Sequence, residues 1–136
     1  MPVTPNSVVT PQATRSSSGV VTAANTNYTD TPTNTVEIFA AGPDGARVSR
    51  ISAISRVSTG ALELQLFRDH NGSGTTRRFF NSRTMPAVAV STTQGQNPVD
   101  FGYSDNNPLI LAPNEKLYAG ISIAGAVIFQ VEGANF

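Results

Sequence analysis

The chain has 136 residues, 39% hydrophobic and 13% charged, with nine basic residues balancing nine acidic ones. That length suits one domain with its own core and is short for two; the charged fraction is well under the roughly 25% usual in globular chains, and Ser, Thr, Asn, Gly and Pro take its place. Zero net charge removes any global pull toward nucleic acid or an anionic membrane, and the lack of cysteine removes disulfides, thiolate catalysis and Cys-bearing zinc sites.

The N-terminus carries no basic-plus-apolar signal pattern, and no apolar run approaches the ~18 residues that cross a bilayer. No membrane partner is expected, and synthesis in the cytosol is.

Residues 1–34 stand apart in composition. They hold two charged residues, Arg15 and Asp30, and prolines at positions 2, 5, 11 and 32. Their only strong apolar pairs are Val8–Val9 and Val20–Val21, too little to offset the entropy of ordering the segment alone. Two readings stay open: a disordered terminus, or an extended arm that orders against a neighbouring subunit with Val8, Val9, Val20 and Val21 as strand-like anchors. Either way the domain is expected to span 35–136 and to tolerate loss of the first 24 residues.

From Thr35 onward the pattern has period two. The stretch "VEIFAAG" puts Val36, Ile38 and Ala40 on one face and stops at Gly-Pro-Asp-Gly, a turn. "ARVSRISAISRV" is rich in β-branched residues but alternates imperfectly, which predicts a bulged or doubly used strand. In "ALELQLFRD", Leu62, Leu64 and Leu66 face one way and Glu63 and Gln65 the other. "HNGSG", "RRFFNSR", "MPAVAV", the polar loop "STTQGQNP" and the short run "PLILA" follow, with no helical period anywhere. The final twenty residues, "LYAGISIAGAVIFQVEGANF", are the most apolar. With Ala124–Ala126 as a loop, Ile121 would sit opposite Phe129 and Ala119 opposite Val131, predicting a closing hairpin with Tyr118, Gln130 and Glu132 on its outer face. Phe136 is then a core plug or a subunit contact.

Eight or nine short strands without crossover helices predict an all-β fold, a β-sandwich of jelly-roll type bearing an extended N-terminal arm, with a small closed barrel as the alternative.

Catalytic patterns are missing. The single histidine, His70, stands beside Asp69 and makes neither a metal set nor a triad; no Gly-x-Ser-x-Gly or phosphate loop occurs. Residues 69–74, Asp-His-Asn-Gly-Ser-Gly, match the opening of a calcium loop, but its twelfth position is Phe80 where a bidentate glutamate belongs. A hairpin tip with glycines at φ > 0 explains these residues better. No enzyme, metal or cofactor is expected. Seven arginines (47, 50, 56, 68, 77, 78 and 83) fall within residues 47–83 against two acids. Arg77 and Arg78 beside Phe79 and Phe80 could stack on nucleic acid, but arginine forks suit carboxylates at protein interfaces better, so nucleic acid is not the expected partner.

The succession "DGARVSRISAISR", "LQLFRDHNGSGTTRRFFNSRTM", "DFGYSDNNPLILAPNEKLYAGI" and "VIFQVEG" resembles a family of small virion-associated proteins of tailed bacteriophages and prophages, found near the major capsid protein. The likeness covers about residues 44–136. It implies a virion structural protein made in the bacterial cytoplasm and carried on the capsid surface. Its expected role is decoration or cementing of the head, its partners the major capsid protein and copies of itself, as a trimer rather than a dimer. Val8, Val9, Val20, Val21, Arg77, Arg78 and Phe136 are the contact candidates. The competing function is a tail- or fibre-associated adhesin binding carbohydrate, for which Tyr103 and Asp105 are the best-placed residues.

Overall fold

The computed structural model describes residues 13–136. Among them are nine β-strands and no helix: β1 (Ala13–Val21), β2 (Val36–Ala40), β3 (Ala46–Ser55), β4 (Leu62–Asp69), β5 (Arg78–Met85), β6 (Val99–Asp100), β7 (Leu109–Leu111), β8 (Lys116–Ile121) and β9 (Val127–Asn135). They form two antiparallel sheets. Sheet A has the order β1-β9-β3-β6, with β7 also on β3; sheet B has the order β2-β8-β4-β5. The apolar faces of the two sheets enclose one core containing Phe39, Ile51, Leu64, Leu66, Leu117, Ile121 and Phe129, none more than 1% exposed. This is a β-sandwich.

The imperfect alternation of β3 has a structural cause. Its register against β9 slips between Val48 and Arg50, so Ala46 and Val48 point inward on one side of the bulge and Ile51 and Ala53 on the other. One extra residue shifts the phase of a period-two pattern. The strand is also used on both edges: β9 lies along one, and β6 and β7 pair with its two ends on the other. A second bulge, between Glu37 and Phe39, buries Ile38 and Phe39 together, where strict alternation predicts Val36, Ile38 and Ala40.

The residues after β4 form the expected hairpin tip. Gly72 and Gly74 have positive φ, and the buried Asp69 carboxylate accepts the backbone N–H groups of Asn71, Gly72 and Gly74. These oxygens serve the turn itself, as the hairpin reading requires.

Two expectations are corrected. The C-terminal stretch is not a hairpin: β8 pairs with β2 and β4, whereas β9 pairs with β1 and β3. Residues 122–126 pass from one sheet to the other, and Ile121 and Phe129 enter the core from opposite walls. Alternation assigns a face and not a neighbour, so adjacent strands and facing strands satisfy it equally. The inward faces are as expected, with Leu117, Ala119, Ile121, Val127, Phe129 and Val131 buried, while Ile123 is exposed.

The second correction concerns the arm. Ala13–Val21 is a full strand of sheet A, paired with β9 over nine consecutive residues, and Val21 is fully buried opposite Val127. The domain therefore begins no later than Ala13. The segment's poverty in apolar residues misleads because an edge strand gains from main-chain hydrogen bonds and needs only one inward anchor.

The buried aromatic on β9 is the sharper test of facing. Phe129→Ala should cost about 3–5 kcal/mol as a large-to-small core change, and Tyr118→Ala, on the half-buried outer face of β8, should cost less. Thermal melts of the two variants check this; equal losses would contradict the assignment.

Candidate functional site

With no cavity chemistry suggested by the sequence, the surfaces that can act are the outer faces of the two sheets, and they differ. Sheet B is covered by its own chain. After β1, residues 22–35 cross its outer face, beginning with a parallel bridge from Ala24 to Ile121 and a hydrogen bond from the Asn25 N–H to the Ile121 carbonyl at 2.7 Å. Asn25, fully buried, donates through Nδ2 to Gln65 Oε1 at 2.9 Å, and Gln65 Nε2 donates to the Asn25 carbonyl at 3.1 Å. This amide pair lies over Gly120, where a Cβ would come within 2.7 Å of Gln65 Oε1. A glycine between the strap and the strand is what allows the contact.

Farther along, the Tyr28 hydroxyl donates to Glu63, and its ring lies 4.3 Å from that of Phe79, which in turn lies 5.6 Å from Phe67. Phe67 points to this outer face and is nonetheless fully buried. A chain otherwise thin in apolar groups has sealed a wet face with aromatic stacking and amide hydrogen bonds.

Arg77 and Arg78 hold the strap's far end. The Arg77 N–H donates to the Asp30 carbonyl at 2.8 Å, its guanidinium donates to Thr35 Oγ1 at 2.7 Å, and it lies 5.2 Å from the centre of the Tyr118 ring. Arg78 Nε is 2.9 Å from Asp30 Oδ1. Both arginines are thus engaged within the domain, and the Arg78 side chain stays 62% exposed.

Five of the other six arginines follow suit. Arg15 donates to the Ala40 carbonyl at 3.0 Å and lies over Phe39, closing the seam between β1 and β2. On the opposite seam Arg83 donates to the Phe101 carbonyl and Arg68 to the Ile110 carbonyl, each at 2.9 Å. Arg68 also grips the buried Glu115 with two guanidinium nitrogens, at 2.6 and 3.1 Å, beside His70 Nδ1 at 3.2 Å. Arg47 donates to the Asp105 carbonyl, and Arg50 Nε is 3.6 Å from Asp100. The cluster that looks like one basic surface in sequence is divided between both sheets and both seams.

Sheet A presents an outer face that no described segment crosses. Its registers line up three rows. Val20, Ile128 and Ile54 form a β-branched row; Ser18, Gln130, Ser52 and Asp100 form a polar row; Ser16, Glu132 and Arg50 form a third. The one acid–base contact here is the Arg50–Asp100 pair, about half exposed on each side. The face is lightly charged, carries hydroxyl groups and the Gln130 amide, and has a shallow depression lined by Ser16, Ser18, Gln130 and Glu132.

The expected contact residues therefore separate. Val20 lies on this open face, Val21 in the core, and Arg77 and Arg78 in the strap of the opposite sheet. Phe136 is partly buried at the end of β9, its N–H donating to the Gly45 carbonyl at 3.2 Å. Val8 and Val9 lie outside the described residues. Of the adhesin candidates, Tyr103 packs partly buried against the core and accepts from Asn81 Nδ2 at 3.0 Å, and Asp105 offers its carbonyl to Arg47. Among the described residues no group of three or more His, Cys, Asp or Glu side chains is arranged to hold a metal ion.

Neither Asn25 nor Gln65 stood out in sequence. A glutamine between leucines on a strand reads as solvent-facing, and only the strap's path buries it. The row Val20–Ile128–Ile54 was likewise invisible, since it joins three strands whose registers alternation leaves open. No family model, curated protein or solved structure matches the chain.

The strap yields two predictions. Asn25→Ala leaves the buried Gln65 Oε1 without its donor while Gln65 Nε2 keeps the Asn25 carbonyl, and should cost about 1–3 kcal/mol in thermal or denaturant melts. Hydrogen bonding to Glu63, then burial, then the carboxylate's charge raises the Tyr28 hydroxyl above its ordinary value of 10.0. A raised value favours the protonated phenol in the folded state, so its contribution is complete below pH 10.0 and is lost as pH rises through the folded value. Tyr28 is 51% exposed, which limits the contribution to about 0–1 kcal/mol. Melts of Tyr28→Phe should show a small deficit at neutral pH that closes in strong alkali; a deficit unchanged by alkali would contradict the contact.

Proposed function

We propose that this protein is a non-enzymatic structural component of a phage virion, a decoration protein that binds the major capsid protein through the outer face of sheet A and stabilises the head. The observation that carries this reading is the inequality of the two faces. One face and both seams are stitched shut by the chain's own strap and arginines. The other offers hydroxyl and amide groups beside a β-branched row, a composition suited to another protein surface and poorly suited to a phosphate backbone, which demands clustered cations.

The same reading draws support from the strand order. Successive strands alternate between sheets except at β4–β5 and β6–β7, and the orders β1-β9-β3-β6 and β2-β8-β4-β5 are those of a long antiparallel ribbon wrapped once around a barrel, the jelly-roll plan of many shell proteins. Copies arranged as trimers at capsid symmetry axes fit a small domain whose binding face is rigid.

Cryo-electron microscopy of particles assembled with the purified protein tests this. Many copies on the shell with sheet A facing it are expected, and the variant Gln130→Arg, at an exposed outward position, should lose retention while melting like the parent. Density confined to the tail or a fibre would support the adhesin function instead.

A further inference from the structure

The edge of sheet A is open. β1 is nine residues long, is paired with β9 without a bulge and holds no lysine, no proline and one arginine. Among the described residues no hydrogen bond other than the β9 ladder reaches its backbone. Every second residue of an edge strand aims its N–H and C=O away from its neighbour, so among the described residues the outward groups of β1 meet no protein partner, and of the devices that normally protect an edge the strand carries one, the inward-pointing Arg15. Arg15, Gly19 and Val21 are inward residues of this strand, packed toward Phe39, Ile38 and the core.

The sequence contains a second copy of what lies at this edge. Residues 7–10 read Ser-Val-Val-Thr and residues 19–22 read Gly-Val-Val-Thr, twelve positions apart. In β1 the pair divides as a strand requires: Val21 enters the core opposite Val127, and Val20 stands on the outer face as the last member of the row Ile54–Ile128–Val20. That row ends at the edge. A strand placed alongside with Val8 or Val9 next to Val20 would add a further β-branched residue to it, and such cross-strand pairs stabilise sheets. Pro5 and Pro11 bracket residues 6–10, limiting any added strand to that length.

We propose that residues 6–10 of one copy of this chain add as a strand to the β1 edge of a second copy, so that N-terminal segments are exchanged between subunits. The donor is a neighbour because of register. An antiparallel fold-back that set Val8 or Val9 beside Val20 would centre its turn at residues 14–15, inside the nine-residue β1–β9 ladder, and a parallel one would leave residues 10–12 to run back along β1 from Val20 to Ala13. This deepens the assembly proposed above, but it concerns contact between copies and can be read without a capsid.

The test uses the full chain and a chain lacking residues 1–12, which retains β1 whole. Sedimentation should show the full chain associating as concentration rises, and the truncated chain and the full-length Val8→Asp/Val9→Asp variant remaining monomeric. The melting temperature of the truncated monomer should match that of the full chain diluted to monomer. Amide hydrogen exchange should show the outward N–H groups of β1 protected in the assembled full chain and unprotected after truncation, and a synthetic peptide of residues 1–12 added to the truncated chain should restore that protection. A full chain that stays monomeric, a truncated chain that associates equally well, or a peptide that leaves β1 unprotected would each overturn the proposal. Failure of the protein to bind capsids while these results hold would overturn only the decoration function.

Discussion

The structure depends on the pairing of the chain's first described strand with its last. β9 is hydrogen-bonded on both sides, to β1 over Ala13–Val21 and to β3 over Ala46–Ser55. It also carries Val127, Phe129 and Val131 into the core. The pairing therefore joins residues more than a hundred positions apart, at a loop-closure cost that grows slowly with length. Once formed, it fixes the width of sheet A and gives the strap that follows β1 its starting point.

From that start the remaining features follow in order. Leaving β1 at the sandwich edge, the chain has to reach β2 on the other sheet, and it does so by crossing the outer face of sheet B. The crossing buries Phe67 and the Asn25–Gln65 amides. It also draws Arg77 and Arg78 into holding Asp30 and Thr35. At the seams, guanidinium groups supply donors to carbonyls at the rims of the opposite sheet, and hydrogen bonds from charged donors are worth about 1.5–3 kcal/mol each. A domain with few charges thus sets four of its eight arginines, Arg15, Arg47, Arg68 and Arg83, on backbone carbonyls. Among the described residues nothing covers the outer face of sheet A or the edge of β1, and both proposals concern that side.

Much of this was legible in residues alone. The absence of helical period, the turn signals at Gly-Pro-Asp-Gly and Asn-Gly-Ser-Gly, and the inward series Leu62–Leu64–Leu66 and Val127–Phe129–Val131 all correspond to what the structure contains. Even the broken alternation of β3 signalled its bulge. The failures share one origin, because period-two patterning states which face of a strand is buried and is silent about which strand lies beside it. The two apolar runs at the C-terminus could pair with each other or line opposite walls, and the structure takes the second course. β1 reads as part of an arm and not of the domain because its side chains are mostly small and polar, so its place in the sheet rests on backbone hydrogen bonds that leave no trace in composition. The arginines were conspicuous as a run in sequence, yet strand order scatters them over two sheets.

Removing residues 1–24 tests the central pairing most directly, with denaturant unfolding followed by circular dichroism. If β9 depends on β1, the truncated chain should lose cooperative unfolding or show a midpoint far below that of the full chain, since Phe129, Val127 and the edge of β9 would be opened to water. A truncated chain that unfolds cooperatively at the parent's midpoint would contradict the account and make Ala13–Val21 an appendage of a sandwich complete without it.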